Sequence, residues 1–336
     1  MSLPVRRGER MLRARIVGTG SSVPEKVLTN FDLEKMVDTS DEWITTRTGI
    51  KERRIAGDGE YTSTLATRAA ARALEMSGVA ADEIDLLIVA TVTPDFPFPS
   101  TACIVQSNLG ASRAAAFDVS AACSGFIYGL SLASNAIKTG AASKALIIGA
   151  EILTRILDWT DRNTCLLFGD GAGAAVLSSC TDEHGILSTH IHSDGSYWEL
   201  LYQEGCGSRN PAVQETFDAK RHFLRMQGNE VFKLAVRAME DAALEALGAN
   251  GLSPADIDIF IPHQANRRII DAIGKRLGLG SDKVFVNLDR YGNTSAASIP
   301  IALDEANRTG RMGDGDLVLF DAFGGGLTWG SALIRW

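Results

Sequence analysis

The chain reads as short apolar runs separated by longer stretches whose apolar residues recur at helical spacing. Residues 12–18, 85–91, 114–119, 145–150, 257–261 and 317–321 are nearly continuous apolar runs of strand length. Between them, residues 62–78, 127–138 and 267–277 carry helical spacing, and Gly78 and Gly140 close the first two. Shorter helix starts fall at Asn30-Phe31-Asp32 and at Ser40-Asp41-Glu42-Trp43, the second with a capping residue. Fully apolar strands alternating with helices predict an α/β protein with largely parallel sheets covered on both faces. Residues 94–99, 154–165 and 193–225 break the pattern, and long inserts of this kind tend to carry binding or partner contacts.

The pattern repeats. Gly78, Glu83, Ile84 and Asp85, followed by an apolar run, return as Gly251, Asp256, Ile257 and Asp258 at a constant offset of 173. The preceding helices share that offset at residues 69–74 and 242–247, and the run 145–149 returns as 317–321 at nearly the same one. Phe168-Gly169-Asp170-Gly171 is answered by Phe323-Gly324-Gly325-Gly326, with extra residues in the first half. A duplicated α/β unit of about 170 residues follows, each half a plausible domain. The first half spans 12–180 and the second 181–336, with 181–225 a connecting insert and 1–11 an extension.

Composition narrows the function class. With 45% hydrophobic and 22% charged residues, this is an ordinary soluble globular composition. A net charge of −8 argues against a general nucleic-acid or membrane-surface binder, so any basic function is local. Five cysteines form no Cys-x-x-Cys pair, which fits a reducing cytosol rather than a disulfide framework or zinc site. No apolar stretch approaches the roughly 18 residues of a membrane span, and no signal-like apolar segment follows the N-terminal arginines. A cytoplasmic protein is expected. Gly18 and Gly20 after the first run invite a nucleotide-binding assignment, but Pro24 follows and no helix begins there.

The candidate chemistry sits at corresponding places in the two halves. Cys123 lies where an apolar strand gives way to a helix, among small residues, and the helix N-terminus favours a thiolate there. His263 follows the strand 257–261, and Asn293 stands in a glycine turn leading into a small-residue helix. The 173 offset makes Ala296 the counterpart of Cys123, so Asn293 and Cys123 should face each other across the halves. A thiolate to attack a carbonyl, with an imidazole and an amide to hold a developing oxyanion, is acyl-transfer chemistry. Gly324-Gly325-Gly326 adds a backbone able to approach closely and donate an N–H. A Cys-His-Asn set also describes papain-like hydrolases, but the duplication and strand-end placement point elsewhere.

Asp118-Val119-Ser120-Ala121-Ala122-Cys123-Ser124-Gly125-Phe126, Pro262-His263-Gln264-Ala265-Asn266, Gly292-Asn293-Thr294-Ser295-Ala296-Ala297-Ser298 and Phe323-Gly324-Gly325-Gly326-Leu327-Thr328-Trp329-Gly330 resemble β-ketoacyl-acyl carrier protein synthase III. Thr39-Ser40-Asp41-Glu42-Trp43-Ile44 and Arg47-Thr48-Gly49-Ile50 resemble it too, and the likeness runs from about Leu12 onward. It implies a thiolase fold, with mixed sheets in five αβαβα layers, and a homodimer that starts fatty-acid synthesis. By the same resemblance, Cys123 takes an acyl group from acyl-CoA. His263 and Asn293 stabilise the enolate left when malonyl-acyl carrier protein loses carbon dioxide. The N–H groups of Cys123 and Gly325 hold the oxyanion, and Phe323 shields the site. No metal or redox cofactor is implied. Trp43, Arg47, Arg162 and Asn266 match CoA-holding positions, and an indole and guanidiniums suit an adenine and phosphates. Lys233, Arg268, Lys275 and Arg276 would dock the acidic carrier, Arg268 and Lys275 lying seven apart on one helical face. Phe98 matches a residue that crosses the dimer interface to close the partner's acyl pocket, and Leu153, Leu166, Leu167 and Phe168 are candidate pocket walls. The rivals are a plant-type polyketide synthase, a 3-hydroxy-3-methylglutaryl-CoA synthase, a starter-unit synthase of a secondary pathway, and a non-catalytic acyl-binding subunit.

Overall fold

A computed structural model describes residues 12–336, so the extension 1–11 lies outside the described residues. The first strand, β1 (Arg13–Ser22), is longer than its apolar run suggests, because its alternating polar residues complete an edge strand. A small two-stranded ribbon follows, β2 (Val27–Thr29) with β3 (Glu52–Arg54), enclosing helices α1 (Asn30–Leu33) and α2 (Asp41–Thr48). Thr29 caps α1 in a full capping box and Ser40 caps α2, as the two start signals predict. Then come α3 (Thr62–Ser77), β4 (Leu86–Ala90), α4 (Thr101–Leu109), β5 (Ala115–Val119), α5 (Gly125–Lys138), β6 (Lys144–Ile152) and β7 (Asp170–Cys180). The second half runs β8 (Gly185–Ser193), β9 (Leu201–Gln203), α6 (Gln214–Asp218), β10 (Leu224–Met226), α7 (Gly228–Ala249) and β11 (Ile259–Pro262). It ends with α8 (Arg267–Arg276), α9 (Leu288–Tyr291), α10 (Ser298–Arg308), β12 (Leu317–Gly324) and β13 (Thr328–Arg335).

The strands form two main sheets of the same order. The first is β1-β7-β6-β4-β5 and the second, read from its matching edge, β8-β13-β12-β11. Val284 adds an isolated parallel bridge to Phe260 of β11, at the edge of the second sheet. Both sheets are mixed, which corrects the expectation of largely parallel pairing. β6 is almost wholly buried, yet it pairs parallel with β4 and antiparallel with β7. Its apolar run reflects burial on both faces, not strand direction.

One apolar core fills the space between the sheets around α5 and α10 (Phe126, Ile127, Leu130, Ile299, Leu303). A second core packs α3 and α4 on the outer face of the first sheet, and a third packs α7 and α8 on the outer face of the second. The result is the five-layered, duplicated α/β arrangement of the thiolase fold. Gly18 and Gly20 serve packing, since a Cβ would lie 2.4 Å from the Ala73 carbonyl and 2.3 Å from that of Ala69. The duplication extends to local strain. Ala122 and Ser295, 173 positions apart, open matching single turns with φ of 46° and 48°, in a left-handed region few such residues adopt. No helix among the described residues is long and apolar enough to cross a membrane.

Candidate active site

Each half delivers its functional residue at the end of a strand. β5 leads through Ala122 into the turn that carries Cys123 at the head of α5. A cavity of about 720 Å³ opens at the surface and narrows to Cys123, His263 and Asn293. All three side chains are buried. A smaller cavity of about 280 Å³ continues past Cys123, walled by Val92, Leu153, Ile156, Phe168, Leu201 and Leu224. Cys123 and Phe168 line both spaces, so the thiol stands where an approach channel meets an apolar pocket.

The strand-to-helix position does not produce a thiolate in the unliganded protein. Burial pushes the Cys123 thiol up to about 12, aided by the nearby Glu151 charge and opposed by a hydrogen bond from Ser295. Desolvation outweighs the helix N-terminus here, correcting the sequence expectation.

His263 is oriented by three contacts around it. Its N–H donates to the Asp321 carbonyl at 2.8 Å, and Nδ1 lies 2.6 Å from the Ser298 hydroxyl. Because the Gln264 N–H already donates to that hydroxyl oxygen at 3.3 Å, the hydroxyl hydrogen is free to point at Nδ1. With the ring proton on Nε2, this hydroxyl donates to Nδ1 and the imidazole keeps Nε2–H as a donor for the cavity it lines. Burial pushes the imidazole down to about 3, so the ring is neutral. Asn293 is fixed in the same way. Its Oδ1 accepts the Ser295 N–H at 2.8 Å, which leaves the amide hydrogens for the cavity. Its backbone crosses to the first half, donating to Leu167 at 2.8 Å and accepting from Gly169 at 3.0 Å. Two neutral donors thus converge beside a thiol.

The glycine-rich end of β12 closes the site. A Cβ on Gly324 would lie 2.6 Å from the Cys123 nitrogen, so no other residue lets the strand come this close. Gly325 lines the apolar pocket, and Phe323, 5% exposed, lines the channel.

At the channel mouth the structure gathers Trp43, Arg47, Arg162, Asn266, Lys233 and Arg268. The Arg47 and Arg162 guanidiniums lie 4.5 and 4.7 Å from the Trp43 ring centre, within cation–π range. Asn266 caps α8 through the Arg268 N–H at 2.8 Å, and its amide donates to the Arg47 carbonyl at 3.2 Å. The predicted basic face is divided. Lys275 borders a separate cleft with Arg267 and Arg311, and Arg276 is tied to Glu240. Phe98, 84% exposed, lines neither of the two cavities that meet at Cys123. Leu153 and Phe168 wall the inner pocket, whereas Leu166 and Leu167 line only the channel.

Sequence reasoning missed Ser298, Ser295 and Glu151, and also Leu201 and Met226, which the β9–β10 ribbon brings into the channel wall. The two serines stand in a recognised motif without an assigned part. Glu151 carries a visible signal, as the one charged residue inside the apolar run 145–153.

Two duplicated halves that meet at a buried cysteine, with an approach channel and an apolar pocket, define a thiolase-fold condensing enzyme. Residues 117–195 match the family described as 3-oxoacyl-[acyl-carrier-protein] synthase III, and residues 247–336 match its C-terminal part. The β-ketoacyl-[acyl-carrier-protein] synthase III of Caldanaerobacter subterraneus subsp. tengcongensis is 59% identical over 97% of this chain and 98% of its own length. The crystal structure of 3-oxoacyl-[acyl-carrier-protein] synthase III from Aquifex aeolicus superposes with a TM-score of 0.90 at 53% identity, covering 96% of this chain and 100% of that one. The priming β-ketosynthase of the R1128 polyketide pathway also superposes at 0.90, at 37% identity and 98% coverage of both chains. The chain belongs to the 3-oxoacyl-[acyl-carrier-protein] synthase III family.

Proposed function

We infer that this acyltransferase starts fatty-acid synthesis by joining an acyl-CoA primer to malonyl-acyl carrier protein. The observation that carries this reading is Cys123 at the junction of a surface-opening channel and an apolar pocket. CoA enters by the mouth, where Trp43 offers a ring face to the adenine, and Arg47 and Arg162 offer charge to the phosphates. Cys123 attacks the primer thioester, CoA leaves as the thiol, and the acyl chain lies in the inner pocket among Leu153, Phe168 and Leu224. Malonyl carrier protein then loses carbon dioxide. The enolate oxygen accepts hydrogen bonds from His263 Nε2 and the Asn293 amide, both supplied without proton transfer because both groups are neutral. The carbanion attacks the acyl-Cys123 carbonyl, whose oxyanion is met by the N–H groups of Cys123 and Gly325, and the thiolate departs. Phe323 keeps water from the carbanion. Decarboxylation itself releases the carbanion, so this chemistry calls for no redox cofactor or metal.

Lys233 and Arg268 at the mouth dock the acidic carrier. The working unit is a homodimer in the cytoplasm, with Phe98 of each chain reaching the other's pocket. The 59% identity to a β-ketoacyl-[acyl-carrier-protein] synthase III, against 37% to the polyketide priming enzyme, supports the primary pathway over a secondary one. Intact-protein mass spectrometry after incubation with a panel of acyl-CoAs tests the reading. An adduct on the wild type and none on Cys123→Ser is expected, and the preferred chain names the primer. No adduct with any acyl-CoA would overturn it.

A further inference from the structure

Strand β6 outruns its neighbour β4. Their parallel pairing ends with Ala90 opposite Gly149, while β6 continues to Ile152. Beyond that point the Glu151 side chain replaces the ladder. It is fully buried, and its hydrogen bonds go to three consecutive residues of the loop that leaves β4. Oε2 accepts the hydroxyls of Thr93 at 2.6 Å and Thr91 at 3.2 Å, and the N–H groups of Val92 and Thr93 at 3.1 and 3.2 Å. Oε1 shares the Val92 N–H at 3.2 Å. The Thr93 hydroxyl in turn accepts the Ile152 N–H at 2.9 Å, so the loop is tied to the strand in both directions.

These bonds reach the acyl pocket through Val92, which lines it together with Leu153 and Ile156. The carboxylate therefore stands behind one wall of the space that receives the primer. Only a carboxylate accepts so many donors at once, and glutamine in its place would turn an NH2 toward the Val92 N–H, donor against donor. Burying a carboxylate is costly, and apolar side chains would fill the same space without that penalty if filling were all the position required. The rest of the loop is pinned at its two ends. On the near side the Thr93 carbonyl accepts the Thr62 hydroxyl at 2.5 Å, and Asp95 accepts the Ser63 N–H at 2.8 Å. On the far side Asp118 caps α4 through the N–H groups of Thr101 and Ala102, both at 2.7 Å. Between those ends Phe96 and Phe98 are exposed.

We propose that Glu151 is a positioning residue for primer choice, its carboxylate holding the Val92 wall of the acyl pocket and so limiting the chain length accepted on Cys123. An apolar pocket rejects one extra methylene only as far as its walls refuse to move. With the carboxylate in place, the backbone at Val92 cannot swing outward, and a chain longer than the pocket meets a fixed surface. With its bonds broken, the loop yields and the longer chain is admitted. The base of the 94–99 segment shares the restraint, so the same carboxylate sets where Phe98 is presented.

This inference rests on the acyl-transfer reading above, and its test separates the two. Labelling of Cys123 is followed by mass spectrometry over two chain-length series. One is acyl-CoAs from acetyl to decanoyl, and the other is alkyl methanethiosulfonates from methyl to decyl, which modify the thiol without acyl transfer. The proteins are the wild type, Glu151→Gln, Thr93→Val, Val92→Ala and the double variant of Glu151→Gln with Val92→Ala. Glu151→Gln should raise the ratio of long-chain to short-chain rates about tenfold in both series, the discrimination that one methylene supplies. Thr93→Val removes one donor to the carboxylate and should raise the ratio by a smaller factor. Val92→Ala should raise it too, and the double variant should match Val92→Ala alone, because both changes act on one wall. Equal slowing at every chain length, an unchanged ratio, or shifts that add in the double variant would overturn the proposal. Thr93→Val leaves the carboxylate in place, so it decides the matter even if Glu151→Gln does not fold. If no acyl-CoA labels the wild type, the function reading fails, while the methanethiosulfonate series still reads the wall.

Discussion

At the residue scale the site is governed by burial rather than by charge. An exposed imidazole would titrate near 6.5, but His263 is held neutral down to about 3 and cannot serve as a cation for the enolate. Its contribution is a directed Nε2–H, which depends on Ser298 holding Nδ1 as an acceptor. Three expectations follow. Decarboxylation of malonyl-acyl carrier protein should show no histidine step between pH 5 and 8, since the folded-state proton affinity lies below that window. His263→Ala should slow decarboxylation by about 100- to 1,000-fold, the usual effect of losing one oxyanion donor. Ser298→Ala, which frees the ring to place its proton on Nδ1, should slow it by a smaller factor while leaving acylation of Cys123 intact. Decarboxylation assayed by carbon dioxide release across pH, with acylation of Cys123 read by mass spectrometry, checks all three. A step near 6.5 in the wild type would show that the imidazole works as a charged group.

At the scale of elements, the motifs told which residues meet and the architecture told how far each reaches. The strand-end positions of Cys123 and His263 were legible because an apolar run followed by small residues and a helix leaves little choice of geometry. So was the cross-half meeting of Cys123 and Asn293, because a constant offset in sequence becomes a symmetry in space. Glu151 was not, because nothing in one sequence says that the end of β6 lies against the loop leaving β4. The β9–β10 ribbon was hidden too, since its strands have only three residues each within a polar insert. Helix α8 shows the limit of periodicity. Arg268 and Lys275 share a face by angle, yet seven residues advance the helix axis by about 10 Å, so they border different cavities. Carrier docking should therefore depend unequally on them. Arg268→Glu should weaken carrier-dependent condensation about tenfold or more and spare acyl transfer from CoA to Cys123, whereas Lys275→Glu should cost less. Equal loss in both assays for Arg268→Glu would assign it to catalysis or folding instead.

For the whole molecule, β5 is the element whose surroundings look incomplete. The central strand of its sheet, β6, is buried nearly end to end, while β5 exposes Ala115 and 40% of Phe117 and, among the described residues, pairs only with β4. An edge strand with an unpaired backbone and an exposed aromatic is a template for another strand unless something covers it. Close in sequence on the preceding loop, Phe96 and Phe98 are 56% and 84% exposed. An open strand edge and large exposed apolar side chains are what a self-complementary contact about a two-fold axis would bury. If β5 of one chain pairs with β5 of another, the first sheet runs on through the dimer and the 94–99 loop lands on the partner. Phe117→Asp places a charge in the middle of that contact and should shift the protein from dimer to monomer at micromolar concentration by light scattering. Phe98→Ala should leave the dimer intact and alter the chain-length preference of acylation, because it removes only the side chain expected to end the partner's pocket. A wild type that is monomeric at the same concentration would mean that each chain closes its own inner pocket and that the exposed phenylalanines serve another contact.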